Sequence, residues 1–176
     1  MSEEKNFHKT PDTRPEFPKR AVITGGMPYG NKTLHFGHIG GVFVFADVYA
    51  RFLRDRIGED NVIYVDGGDS PYNTTLANVT LGKVSVDALN ALGLNATVLG
   101  NHDFYYSLQN LLSLRDRASY AMLSANTKFR EGKVYEGEKT YPFGDYITVT
   151  AGGLKFGIFG VTDDKSAETT LYTNTR

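Results

Sequence analysis

"NVIYVDGGDSPYN", Asn61 to Asn73, is the stretch whose reading decides the fold. Its first five residues form a near-continuous apolar run of the kind buried on both faces of a parallel sheet. The residues after them cannot continue a strand. Glycine and proline end it, and the aspartates suit a turn. A buried strand that empties into an acidic glycine loop belongs to layered α/β folds, whose ligand sites gather at the C-terminal ends of the strands.

The same alternation repeats on either side. "AVIT", Ala21 to Thr24, is a short apolar strand running into the Gly-, Pro- and Asn-rich "GGMPYGNKT". From Gly41 the pattern is helical, with Val42, Phe45, Tyr49, Phe52, Leu53 and Arg56 on one face and Gly58 where a helix ends. Beyond the central loop, Leu81 to Leu92 reads as a second helix closed by Gly93. "ATVL", Ala96 to Leu99, is a third strand opening onto "GNHDF". Leu108 to Arg117 is a third helix and "YAMLSANT" a fourth strand. "YITVT", "AGG" and "LKFGIFGVT" then read as strand, tight turn, strand.

The expected fold is therefore α/β: a layered sheet with a β-α-β-α-β-α-β start followed by a β-hairpin. Right-handed crossovers would bring the loops 25–38, 66–73 and 100–103 to one sheet edge. Residues 1–19 read as a solvated tail. Residues 20–176 read as one α/β domain, with a first strand-helix-strand unit over 20–65 and the remainder over 66–176.

Composition narrows the chemistry. A chain of 176 residues suits one domain with a real core. A net charge of −1 gives no reason to expect nucleic acid or a membrane as partner. The absence of cysteine excludes disulfides, zinc–thiolate sites and a cysteine nucleophile. A metal would have to be held by His, Asp, Glu, Asn or backbone oxygen, which suits hard or borderline divalent ions. The N-terminus is charged and proline-bearing, unlike a secretory signal, and no apolar run would span a bilayer, so a cytoplasmic location is expected.

Two constellations carry chemistry. In the first, His35 and His38 flank Gly37 just before a helix. Their N–H groups could donate to phosphate oxygens, aided by the helix N-terminus. The surrounding stretch, Lys19 to Ile63, resembles the start of a bacterial methionyl-tRNA synthetase, a class I aminoacyl-tRNA synthetase. The resemblance implies an ATP site at His35, Gly37 and His38, and a methionine pocket at Met27 and Tyr29. Nothing in the chain matches that family's lysine-rich K-M-S-K-S loop, and its anticodon-binding helices are absent. ATP and methionine are thus the ligands expected of this part, without tRNA as a partner.

In the second constellation, Asp69 follows one strand and Asn101-His102 follows the next. Two metal ions need a bridging carboxylate with further ligands on neighbouring loops. Asp69 would bridge, Asn101 would ligate through its amide oxygen and His102 would face a phosphate. The stretch Val65 to Thr162, with its G-D and G-N-H-D motifs, resembles the metallophosphoesterase superfamily, in particular its 5′-nucleotidase branch. The resemblance implies metal ligation by Asp69 and Asn101, transition-state stabilisation by His102, and an acid partner in Asp103. It also implies a divalent metal (Mn, Zn, Mg or Ca) and a nucleotide or other phosphate ester as substrate. The family's D-x-H motif is missing from the first loop and its later histidine motifs have no counterpart. The two-metal site is therefore expected to be incomplete and hydrolysis weak or absent. Tyr105 stands where many 5′-nucleotidases carry an acid. Tyr105, Tyr106, Tyr141 and Phe143 are aromatic groups that could stack a base or pack. The chain reads as a chimera, synthetase-like first and phosphoesterase-like after, incomplete against both families.

Overall fold

The structure, a computed structural model, describes residue 19 and residues 21–25, 44–72, 74–131 and 137–164. Four strands, β1 (Ala21–Gly25), β2 (Val62–Asp66), β3 (Ala96–Val98) and β4 (Ala121–Leu123), form one sheet in the order β1-β2-β3-β4. Every pair in it is parallel, with Ala21 opposite Val62, Val65 opposite Ala96 and Ala96 opposite Ala121. Helices α1 (Val44–Ile57), α2 (Thr75–Val79), α3 (Lys83–Ala91) and α4 (Leu108–Arg117) lie between the strands. Strands β5 (Tyr146–Ala151) and β6 (Leu154–Phe159) form a separate antiparallel hairpin. This is the expected α/β order. The hairpin turn falls on Gly152 and Gly153, both at positive φ, as a two-residue turn between twisted strands requires.

The core is continuous. Val62 and Tyr64 point to one face of β2 and join Leu53 of α1, Val86 of α3, Leu111 and Leu114 of α4, Leu99 and Met122. Ile63 points the other way and is also buried, so β2 is covered on both faces, as a central parallel strand should be. The hairpin is tied to the turn before β2 by the Gly152 N–H, which donates to the Asp60 carbonyl at 3.1 Å.

Helix α1 corrects the sequence reading. Its existence and its end at Gly58 are as expected, and the Gly58 N–H donates to the Arg54 carbonyl at 3.0 Å. The residues that meet the core, however, are Ala46, Ala50, Leu53 and Ile57. Among the described residues of the expected face, only Leu53 is buried, and Val42 lies outside the described residues. Phe45 is 68% exposed and Tyr49 is 53% exposed. The small side chains at Ala46 and Ala50 allow the helix to approach the strands closely. Arg54 fixes its rotation: the guanidinium donates from Nη1 to the Leu92 carbonyl at 2.7 Å and from Nη2 to that of Gly93 at 3.0 Å. Those carbonyls end α3, where a cation is favoured.

Three further differences are local. Asn61 belongs to a 3-10 turn, so β2 begins at Val62. The single helix expected from Leu81 to Leu92 is preceded by α2, whose Thr74 hydroxyl accepts from the Ala77 N–H at 2.9 Å. Leu81 and Gly82, both at positive φ, separate α2 from α3. Strand β4 stops at Leu123, short of Thr127. The segment after it turns to pair with the chain leaving β6: the Asn126 side chain donates to the Thr162 carbonyl and accepts from its N–H, at 2.7 and 2.9 Å. The Ser124 hydroxyl, fully buried, lies 2.6 Å from that of Thr162.

Candidate functional site

The loops after β2 and β3 meet at the C-terminal edge of the sheet, where the parallel topology brings neighbouring strand ends together. Strand β2 ends at Asp66, whose carboxylate turns back to accept from the Gly68 N–H at 3.0 Å and from the Thr97 hydroxyl at 2.8 Å. This Asx-type turn reverses the chain. Gly68 follows at φ +96°, and a Cβ there would lie 2.7 Å from both the Gly100 nitrogen and the Val98 carbonyl oxygen. Only glycine allows the two loops to pass this closely.

Asp69 adopts φ +61°, in the left-handed region that aspartate tolerates better than most residues. Its Oδ1 accepts from the His102 backbone N–H at 2.9 Å, and its Oδ2 lies 3.6 Å from His102 Nδ1. The second distance is an electrostatic contact rather than a hydrogen bond. A Cβ on Gly100 would meet Asp69 Oδ1 at 2.0 Å, so glycine is required here too. Burial raises the Asp69 carboxyl above its ordinary value, against the His102 N–H bond and the His102 charge, which lower it.

Asp103 lies behind these groups and is 2% exposed. Its Oδ2 accepts from the Asp69 N–H at 3.0 Å and from the Gly100 N–H at 2.7 Å, so one carboxylate fastens both loops. The Tyr72 hydroxyl donates to the Asp103 carbonyl. Burial pushes the Asp103 carboxyl up to about 8, and the charges of Asp69 and Asp66 add to the effect. Burial also raises Asp66, opposed by its hydrogen bonds from Thr97 and Gly68.

His102 opens a 3-10 turn, His102–Phe104, and the Tyr105 N–H donates to the His102 carbonyl at 2.9 Å. Its ring lies 4.4 Å from that of Tyr105. Tyr72 packs edge-on to Tyr105 and beside Tyr106, at 5.9 and 4.8 Å. Asn101 precedes the turn without capping it through its side chain. Of the other aromatic candidates, Phe143 is buried in the core and Tyr141 is exposed.

Asp69, Asn101, His102 and Asp103 are thus brought to one edge. Met27, Tyr29, His35, Gly37 and His38 lie outside the described residues. Asp66, Thr97 and Tyr72 were not singled out from the sequence. The D-G-G run signalled an Asx turn at Asp66, but nothing local announced that Tyr72 would reach Asp103, 31 residues on. Among the described residues, no three His, Cys, Asp or Glu side chains come together as a metal site. The described donors do not fit a two-metal centre, because Asp66 and Asp103 are committed to backbone and hydroxyl partners. Among the described residues, no helix is long and apolar enough to cross a membrane.

Comparison with known proteins gives two answers. By sequence, residues 21–89 match the family model of class I tRNA synthetases (M). The methionine–tRNA ligase of Chlamydia caviae is 33% identical over 134 aligned positions, covering 63% of this chain and 24% of that protein. That of Chlamydia pneumoniae is 54% identical over 52 residues, covering 30% of this chain and 9% of that protein. By structure, the 5′-nucleotidase precursor of Thermus thermophilus superposes with a TM-score of 0.54 at 29% identity, covering 66% of this chain and 22% of that one. The NAD nucleotidase of Haemophilus influenzae gives 0.53 at 25% identity, covering 70% and 21%. A synthetase-like N-terminal sequence and a nucleotidase-like fold therefore coexist in one chain, which spans a quarter or less of these relatives. The synthetase match runs past Ile63 to residue 89, into the stretch whose sequence reads as phosphoesterase-like.

Proposed function

We propose that the chain is a phosphoesterase-like domain that engages the phosphate of a nucleotide or other phosphate ester at the Asp69–His102 edge, with weak turnover at most. The observation that carries this reading is the meeting of Asp69 and His102, 3.6 Å apart, on two loops fastened from behind by Asp103. His102 would donate to a phosphate oxygen, and Asp103 would hold the loops in register. Asp69 and Asn101 are the donors through which a divalent ion (Mn, Zn, Mg or Ca) would enter, and such an ion would offset phosphate charge. With so few donors among the described residues, slow turnover is expected.

The test is hydrolysis of an aryl phosphate ester by the purified chain with added Mn²⁺. Slow, saturable hydrolysis that disappears in Asp69→Ala, with the melting temperature preserved, supports the reading. No hydrolysis, together with Mn²⁺ binding that is the same in Asp69→Ala, overturns it.

The sequence match over residues 21–89 favours a second reading, an ATP- or methionine-binding fragment of synthetase type. It would use His35, Gly37 and His38 for ATP and Met27 and Tyr29 for methionine. Calorimetric titration decides it: saturable heat for either ligand that is lost in His38→Ala supports it, and no heat at millimolar ligand removes it.

A further inference from the structure

We propose that Tyr105 is a positioning residue for His102, holding the imidazole at the loop edge through the contact between their rings. The proposal rests on the reading of His102 as the phosphate-facing group, and adds what orients it.

The geometry follows from the turn. A 3-10 turn has three residues per turn, so side chains at i and i+3 stand above one another. His102 and Tyr105 are such a pair, and the bond from the Tyr105 N–H to the His102 carbonyl closes that turn. Their ring centroids are 4.4 Å apart with the planes inclined by 38°. Tyr105 is itself supported. Tyr72 packs edge-on against it at 70°, and Tyr72 is buried and anchored by its hydroxyl to the Asp103 carbonyl. His102 is thereby held on two sides, by the Asp69 carboxylate near Nδ1 and by the Tyr105 ring. Aromatic pairs prefer offset-stacked or edge-on arrangements, and the Tyr72–Tyr105 support is edge-on.

The experiment reads the imidazole directly. The chain has four histidines, and the His102 ring-proton signals are assigned as those lost in His102→Gln. In the wild-type chain, nuclear Overhauser contacts between the His102 and Tyr105 ring protons are expected, together with a ring-current shift of the His102 signals. Tyr105→Phe keeps the shift. Tyr105→Leu moves the signals toward those of a free imidazole and lowers kcat roughly 10- to 100-fold with KM little changed, as for a misplaced catalytic group. Absence of the wild-type contact overturns the proposal without need of any variant. So does a Tyr105→Leu spectrum in which His102 is unmoved. If the wild-type chain hydrolyses no ester, the functional reading fails, and the spectra alone decide whether Tyr105 orients His102.

Discussion

Helices α1 and α4 make an instructive pair. Both carry apolar residues at helical spacing, and both lie beside the same sheet. Helix α4 turns Leu111, Leu112 and Leu114 into the core and leaves polar groups outside. Helix α1 meets the core with two alanines, Leu53 and Ile57, while Phe45, Val48, Tyr49 and Phe52 stand exposed along its other side. Helix α1 lies within residues 21–89, which match the synthetase family model, and α4 lies beyond them. A parallel sheet accepts a strand-helix-strand unit from either source, since each offers a buried strand and a helix of suitable length. The helix surface shows the difference, because the second apolar face of α1 stands exposed rather than packed on the sheet. The strongest constraint is elsewhere, in the two loops that Asp103 ties together.

Four substitutions test how unequal these regions are. Gly68→Val should be the most damaging, on the order of 4 kcal/mol, because it combines a positive φ with backbone atoms at 2.7 Å. Chemical denaturation measures it, and a cost like that of an ordinary surface change would show that the loops can separate. Leu53→Ala should cost about 3 kcal/mol by the same measurement, since it empties a fully buried site. A cost near zero would mean that α1 is not docked on the sheet.

Asp103→Asn should act through pH. Burial raises the Asp103 carboxyl from an ordinary 3.8 to about 8 in the folded chain. Between those values the folded chain holds a proton that the unfolded chain has released. The contribution to stability is full below about pH 4 and is lost as pH rises toward 8. Melting temperatures measured across that window should decline with pH in the wild-type chain and decline less in Asp103→Asn. An unchanged slope would place the ionised carboxylate in the fold. The smallest effect belongs to the outer face of α1. Phe45→Ser should change stability by no more than about 0.5 kcal/mol, because the side chain is mostly exposed. A larger loss would reveal a partner for that face.

Much of the scaffold is legible in local sequence. The strands at Ala21, Val62 and Ala96, the helix from Leu108 to Arg117 and the glycine hairpin each announce themselves by period and punctuation. The candidate site is legible as two loops, one carrying Asp69 and one carrying Asn101, His102 and Asp103. The role of Asp103 is not. Read along the chain it stands beside His102, yet its carboxylate reaches back 34 residues to the Asp69 N–H.

The amino-acid sequence alone determined the α/β order, the parallel strands and the acidic and histidine loops at their ends, because hydrophobic period and turn chemistry act over a few residues. Only the tertiary structure decided which side of α1 meets the sheet. That choice depends on how closely Ala46 and Ala50 let the helix approach, and on carbonyls at Leu92 and Gly93 that Arg54 meets only after folding. It likewise decided that Asp103 fastens the loops, since a buried carboxylate takes whichever donors the packed backbone leaves unpaired.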